Sequence, residues 1–415
     1  MVNRDYKLKI THMKNYIKLA IFSLGIALFI CGCQDEEPHG PYGSDGVAPG
    51  AVTVDNIINK PGGAVIYYTS PADVDVLYVK ASFEDDRGRP REVKVSQVID
   101  SIVVEGFGQV GDYNITLNAV DRGENISAPT NVTISPLIPP VQLIFPTLIG
   151  EVDFGGIKVS YENLLRAEVS LNLVVFDELI DEFVYRESFF TSQSSGSYTF
   201  RGYPAVRTKF GVYVEDRWEN VSDTIYFEVT PIPDEFLNKS LFSVFKLQGD
   251  KDFNNFGFNE TQMWDNRWGD QWNCGHTNFI TNLPHYLTVD LAVKAKLSRF
   301  KLYQRGGGEL YKHGNPKKFN IYGVLDINSL PPYDPNNPNA GWTLLKECDS
   351  FKPSGLPIGQ TTAEDHEYQN KGEDFDFDVD NLVKVKYIRI EILENWGNIN
   401  GTVIGELSFW GEISE

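Results

Sequence analysis

The segment Asp121-Arg122-Gly123-Glu124-Asn125-Ile126-Ser127 returns 95 residues later as Asp216-Arg217-Trp218-Glu219-Asn220-Val221-Ser222. The match runs on without a gap: Ile115, Leu117 and Ala119 align with Phe210, Val212 and Val214, and Val132, Ile134 and Pro136 align with Phe227, Val229 and Pro231. Apolar residues at every second position are the period of a half-buried strand. Each copy therefore reads as a strand, a polar turn and a last strand ending in proline. A unit that recurs at a fixed period folds as a repeated module, so the chain carries two successive β-modules. The repeated Asp and Asn suit a turn whose backbone they bond, with Arg and Glu pairing across it. The repeated charges are thus read as structural.

Upstream of the first copy lie short β-rich runs: Val52–Val54, Val65–Tyr68, Val76–Val79, Val93–Val95, Ile102–Val104 and Tyr113–Leu117. Gly, Asp and Pro separate them and no helical period intervenes, which is the pattern of an all-β sandwich. With the 95-residue period, these modules resemble immunoglobulin-like or fibronectin type III domains. The expected boundaries are 47–137 and 138–232.

The 415 residues allow two to four domains, and 41% apolar with 13% aromatic content supports ordinary cores. The formal charge is −20. Such a chain is a poor general binder of nucleic acid or anionic membrane. Beyond the first 33 residues only Cys274 and Cys348 remain. They could pair in an exported protein or stay free, and no Cys/His spacing resembles a zinc site. Asp100-Ser101-Ile102 and Asp223-Thr224-Ile225 resemble short O-glycosylation sequons of Bacteroides-type exported proteins.

Near the start, Lys14 and Lys18 precede an apolar run from Leu19 to Ile30, followed by Cys31-Gly32-Cys33-Gln34-Asp35-Glu36-Glu37, and Met13 is the better initiator. A basic region and an apolar stretch too short to span a bilayer read as a secretory signal over residues 1–32. Gly32-Cys33 resembles a bacterial lipobox. The resemblance implies cleavage before Cys33, acylation of its thiol, and an acidic Gly/Pro tether over 33–46 like that of Bacteroides-type surface lipoproteins. The expected location is the outer membrane, lipid-anchored and facing outward.

Beyond Pro233 the composition shifts, and six of the seven tryptophans lie past residue 260. Alternation sharpens: Leu287, Val289 and Leu291, then Phe300 and Leu302, Phe319 and Ile321, and Ile388, Ile390 and Ile392 each share a strand face. Trp264-Asp265-Asn266 with Trp272, Pro284–Leu291, Phe300–Arg305, Asn315–Gly323, Trp342–Leu345, Lys386–Ile390 and Gly405–Gly411 follow one another in the order of the coagulation factor V/VIII type C, or discoidin, domain, which residues 235–415 resemble. The resemblance implies a galactose-binding-like jelly-roll sandwich and a carbohydrate-binding module. Its ligand loops would be 259–277, 304–316 and 394–405.

On those loops, Trp268, His276, Arg305, His313, Asn315, Trp396, Asn398 and Asn400 are the candidate ligand-binding residues, because sugars need a flat apolar face and planar hydrogen-bonding groups. Trp268 and Trp396 are the expected platforms, whereas Trp272 and Trp342 match core positions and Trp410 fits either role. The family also implies a structural calcium, Ca2+, held through Asp265 and Glu406. Asp374–Asp380 lacks the glycine and glutamate of an EF-hand and reads as a strand with an acidic face. The basic segment 294–318 either pairs with the acidic run 364–380 or favours an anionic sugar.

No nucleophile elbow, zinc-protease motif, Walker loop or dinucleotide fingerprint occurs, so the chain is expected not to be an enzyme. The expected function is a surface glycan-binding lipoprotein serving an outer-membrane uptake complex. The alternative is an adhesin or scaffold with a protein partner. Phospholipid binding fits poorly, since the loops show no cluster of aliphatic residues in sequence.

Overall fold

The computed structural model describes residues 46–379 and 382–414. The signal segment, Cys33 and the tether through residue 45 lie outside the described residues. Two compact units divide the chain, Met1–Pro139 and Pro140–Glu415.

The repeated segment forms the same turn twice. Asp121 Oδ1 accepts the backbone N–H of Gly123 at 2.7 Å and of Asn125 at 2.8 Å, and its Oδ2 accepts Asn125 Nδ2 at 2.9 Å. Asp216 Oδ1 takes the N–H of Trp218 at 2.9 Å and of Asn220 at 3.0 Å, and its Oδ2 takes Asn220 Nδ2 at 3.0 Å. Burial alone would raise the Asp121 carboxyl, but these hydrogen bonds outweigh it and hold the group below its ordinary range. Each turn places a glutamate in the left-handed region, Glu124 at φ 61° and Glu219 at φ 66°.

In the first unit, the strands are β1 (Thr53–Lys60), β2 (Gly63–Thr69), β3 (Val76–Glu84), β4 (Pro90–Ser96), β5 (Ser101–Glu105), β6 (Tyr113–Asp121) and β7 (Thr130–Ile134). They form the sheets β1-β2-β5 and β4-β3-β6-β7 around Ile66, Val79, Ile102, Phe107 and Leu117. This three-plus-four order is that of a fibronectin type III sandwich.

The second unit opens with a short helix, α1 (Pro140–Ile144), which the sequence reading did not anticipate. Its strands β8 (Ile149–Asp153), β9 (Gly156–Glu162), β10 (Val169–Asp177), β11 (Glu182–Thr191), β12 (Ser195–Phe200), β13 (Thr208–Asp216) and β14 (Ile225–Val229) repeat the order, as β8-β9-β12 and β11-β10-β13-β14.

The remainder is a jelly roll built from β15 (Glu235–Phe236), β16 (Ser243–Val244), β17 (Gly275–His276), β18 (His285–Tyr303), β19 (Pro316–Val324), β20 (Thr343–Asp349), β21 (Glu373–Asp376), β22 (Lys384–Asn395), β23 (Val403–Ile404) and β24 (Glu406–Ser414). The main sheet runs β15-β24-β18-β22-β19-β20, with β16 and β21 also on β18. At Ala292, φ 61°, strand β18 bends: residues before it pair with β22, and those after it mainly with β24. The chain is all-β with two fibronectin III-like sandwiches and a jelly roll. A nine-residue helix, α2 (Ala363–Lys371), interrupts it.

Alternation along these strands fills one core. Leu287, Val289, Leu291, Phe300, Leu302, Phe319, Ile321, Ile388, Ile390 and Ile392 all enter it. Phe300 lies at its centre, with ring centroids 5.0 Å from Phe375, 5.6 Å from Phe409, 5.7 Å from Phe377 and 6.2 Å from Phe319. The acidic strand β21 lies against the basic part of β18, where Asp374 meets Lys301 at 3.2 Å and Arg299 at 3.6 Å. Cys274 and Cys348 are buried and free, not paired. Burial pushes the Cys274 thiol up to about 12, so it is a packing residue at neutral pH.

Within the second unit, the jelly roll and the preceding sandwich are joined by ions around Asp234. Its Oδ1 accepts Ser298 Oγ at 2.6 Å, and its Oδ2 lies 3.6 Å from Arg299 and 3.8 Å from Arg201. Arg201 also reaches Asp376 at 2.9 Å and the Phe154 carbonyl at 3.0 Å. Trp410 belongs to this junction, sandwiched between Phe236 at 5.0 Å and the Arg299 guanidinium at 4.0 Å.

Truncating Phe300 to alanine should lower the stability of the second unit by about 3–5 kcal/mol, the range for a fully buried phenylalanine. Chemical denaturation followed by tryptophan fluorescence measures it, and a loss under about 1 kcal/mol would show that the core does not centre on this ring.

Candidate functional site

Three loops come together at one end of the jelly roll because their backbones are stitched. Strand β17 pairs with β23 through Gly275–Ile404 and His276–Val403, joining the first loop to the third. Gly397 N–H donates to the His313 carbonyl at 2.7 Å and Trp396 N–H to the Asn315 carbonyl at 2.9 Å, joining the third to the second. Gly307 N–H donates to the Gly269 carbonyl at 3.0 Å, joining the second to the first. A Cβ at Gly306 would sit 2.2 Å from the Gly269 backbone, so only glycine permits that approach.

Aromatic rings tile this end. Trp272 is 66% exposed and stacks on Phe258 with centroids 6.5 Å apart and planes 13° apart. Phe258 stacks in turn on the buried His276 at 5.4 Å. Phe256, 64% exposed, and Phe279, 47% exposed, meet the edges of His276. The Arg305 guanidinium lies 5.2 Å from the Phe258 centroid and 5.9 Å from that of Trp272, and its Nε donates to the Gln271 carbonyl at 2.6 Å. His276 Nδ1–H donates to the Thr277 carbonyl at 2.6 Å, which leaves Nε2 the acceptor. Burial first, then the Arg305 guanidinium, push its pKa down, against the Thr277 hydrogen bond.

Among the sequence-predicted residues, His276 and Arg305 both pack on Phe258, and His313 is joined to the third loop through Gly397. Asn398 and Asn400 are exposed on the adjoining turn, which Asn395 builds by bonding the carbonyls of Ile399 and Gly401 at 2.8 Å each. Asn315 is fully buried: it accepts Arg305 N–H at 2.8 Å and donates to the Glu309 carbonyl at 2.7 Å, so it holds the loop and offers nothing to a ligand. His313 is bonded to Glu309 at 2.7 Å.

The tryptophans differ in exposure from the sequence reading: Trp268 is 42% exposed and Trp272, expected in the core, 66%. Trp268 is pinned, its ring 4.5 Å from Tyr303 and its Nε1 donating to the Asn370 carbonyl at 3.0 Å. Trp396 is half-buried edge-on against Tyr311 at 5.1 Å. Its Nε1 reaches Ser350 Oγ, which donates to the buried Glu373 at 2.7 Å. Trp272, expected in the core, is exposed instead and stacks on Phe258. Trp342 is also outside the core and lies over Arg389 on the outer sheet face. Phe256, Phe258 and Phe279 were missed, although Phe256-Gly257-Phe258 just ahead of the first loop was a readable signal.

Asp265 and Glu406, the expected calcium ligands, are each engaged by neighbours within the chain. Glu406 is fully buried and its carboxylate is bonded to the Lys239 ammonium and to Asn266 N–H, the latter at 2.9 Å. Asp265 Oδ1 takes Arg267 N–H at 2.9 Å and Asn273 Nδ2 at 3.0 Å. The Lys239 ammonium thus neutralises Glu406 through Oε1, while the buried Oε2 has no hydrogen-bond partner among the described residues. Among the described residues no three His, Cys, Asp or Glu side chains converge as a metal cage.

Three families, each described as a domain of unknown function, match the chain: DUF4959 over residues 49–136, DUF5126 over 118–240 and DUF5000 over 264–411. No curated protein matches it. Among solved structures, a SusE-like protein is 29% identical, covers 66% of this chain and 100% of its own, and has a TM-score of 0.43. The family 32 carbohydrate-binding module of C. perfringens NanJ, solved with galactose, is 16% identical over 43% of this chain and 98% of its own, TM-score 0.28. An F5/8 type C domain from Bacteroides fragilis is 14% identical over 43% and 97%, TM-score 0.29.

Lys239→Met should cost about 3–5 kcal/mol by leaving Glu406 buried without its cation, and adding Glu406→Gln should recover most of it. Thermal melts measure both, and calcium should leave the wild-type melt unmoved. Glu373 gives a pH signature. Burial raises its pKa from 4.5 to about 7 in the fold, so its contribution is full below pH 4.5 and is lost as pH climbs to 7. Stability should fall by up to about 3 kcal/mol across that window. Denaturation at pH 5 and pH 7.5 should show the slope in the wild type and not in Glu373→Gln.

Proposed function

We propose that this chain is a non-catalytic, surface-anchored glycan-binding protein that captures saccharide on the Trp272 shelf for a neighbouring uptake system. The observation that carries this reading is the shelf itself. An indole stacked on a second ring and open to solvent offers a flat apolar face for sugar C–H groups. Arg305, His313, Asn398 and Asn400 sit on the same stitched loops with donors and acceptors for hydroxyls. Holding both on a rigid β-scaffold lowers the ordering cost of binding. The lipid anchor at Cys33 would keep captured glycan at the cell.

A protein-binding adhesin is the second reading, and it draws on Ile280, 81% exposed beside Phe279. Contiguous apolar tips of this kind suit a partner's pocket.

Glycan arrays and affinity gels separate the two. Trp272→Ala should weaken glycan retention by about 30-fold or more, as loss of an aromatic anchor does. Trp268→Ala should change it little. A folded wild-type protein that retains no glycan, while Ile280→Asp abolishes capture of a protein partner, would replace the first reading by the second.

A further inference from the structure

The two fibronectin III-like sandwiches share a strand order and a register, yet the outer faces of their four-stranded sheets carry different chemistry. Ala81 pairs with Leu117 as Leu173 pairs with Val212, so each outward residue of one sheet has a counterpart in the other. One outward row of the first sandwich reads Glu92, Ser82, Thr116, Asn131 across β4-β3-β6-β7. The same row of the second reads Tyr185, Val174, Gly211, Tyr226 across β11-β10-β13-β14. On one side of it Pro90 and Glu84 give way to Phe183 and Phe176, and on the other Ser96 gives way to Phe190. A sheet packed on one face needs only polar residues on the other, as the first sandwich has. The rings of the second are therefore surplus to its folding.

These rings lie along an open track. A Cβ at Gly211 would come 2.7 Å from Val174 Cγ2 and 3.0 Å from Tyr226 Cε1, so its absence lets the Tyr226 ring settle onto the sheet. Phe183 abuts Tyr226 with centroids 4.7 Å apart and Phe176 at 5.3 Å, which makes a plateau at one end. From there a polar line crosses the sheet. The Tyr185 hydroxyl lies 2.9 Å from Ser188 Oγ, Ser188 donates to Asn172 Oδ1, and Asn172 Nδ2 donates to Ser170 Oγ at 3.0 Å. At the far end is a cleft of about 580 Å³, lined among others by Ser170, Phe190, Gln193, Glu215 and Arg217. From Phe176 to Ser170 along β10 the track is about 20 Å long at the rise of a strand. Solvent reaches both ends and the middle: Phe190 is 78% exposed, Tyr226 58% and Tyr185 54%.

Charge and composition select the occupant. Among the groups bordering the track, Arg217 lies 3.4 Å from Glu168, Arg207 3.0 Å from Glu228 and Arg186 3.9 Å from Asp177, while Lys209 offsets Glu215. A strongly charged partner of either sign finds no complement on such a balanced face. A second copy of this chain, at −20, is repelled by the first. Between the rings the floor is Ser170, Asn172 and Ser188, polar where a protein interface has its apolar centre. An extended neutral saccharide fits each feature. Its C–H faces lie on the rings, its hydroxyls meet hydroxyls and amides, and no unpaired charge is buried.

We propose that this face of the second sandwich is a further glycan-binding site, which takes an extended neutral saccharide laid from the Tyr226–Phe183 plateau to the Phe190 cleft. It lies on a different module from the Trp272 shelf and can fail separately from it.

Affinity gel electrophoresis of the full chain tests this, with xylan, mannan, amylose and galactan as neutral probes and polygalacturonate as the acidic one. Trp272→Ala, which removes the shelf, should still be retarded by at least one neutral polymer, and the hexasaccharide of that polymer should bind about tenfold or more tighter than its monosaccharide. Tyr226→Asn and Phe190→Ser install the residues that the first sandwich carries at these positions. Each should weaken the retardation of Trp272→Ala about tenfold at an unchanged melting temperature. Wild type and Trp272→Ala retarded alike would remove the shelf reading and leave this one standing. The proposal is overturned if no neutral polymer retards folded Trp272→Ala, if Tyr226→Asn and Phe190→Ser leave the retardation intact, if polygalacturonate is preferred, or if sedimentation shows a dimer that Tyr226→Asn dissociates.

Discussion

Strand β18 carries the jelly roll. Its 19 residues pair with β22 and β16 before the bend at Ala292 and with β24 and β21 after it, so a single register fixes both layers of the sandwich. A slip of one residue would turn Leu287, Val289 and Phe300 out of the core and carry Tyr286 and Thr288 into it. Both ends of the module depend on that register. At one end it delivers Tyr303 and Gln304 to the loops. On the outer face it sets Thr288 beside Arg389.

Alternation made this framework legible in the sequence. Ile388, Ile390 and Ile392 occupy the face their spacing implies, and the Asp121 and Asp216 turns bond as their residue types suggest. Helix α2 was not legible as a helix, since its buried members are Asp365 and Gln369 and it has no apolar stripe. The one local sign was its start, where Thr362 and Asp365 form a capping box.

The loop tryptophans show where such reading ends. Trp268 and Trp272 sit four residues apart in equally polar, glycine-containing sequence, yet one is tied through its indole N–H at 42% exposure and the other stands 66% exposed. What separates them is contact with residues far along the chain: Asn370 and Tyr303 hold Trp268, while Phe258 lies under Trp272. The calcium expectation met the same limit. Glu406 was visible as a carboxylate in a family block, but the lysine that neutralises it lies 167 residues earlier.

Asp234 joins two modules through charges of both signs, and its geometry has a mechanical side. Arg201 comes from the second sandwich and Arg299 from the jelly roll, and both lean on the one carboxylate that lies between them in the chain. Turning either module about this point would separate charges on more than one side at once. Torque applied at the loops would therefore pass into the second sandwich rather than be lost in a swivel.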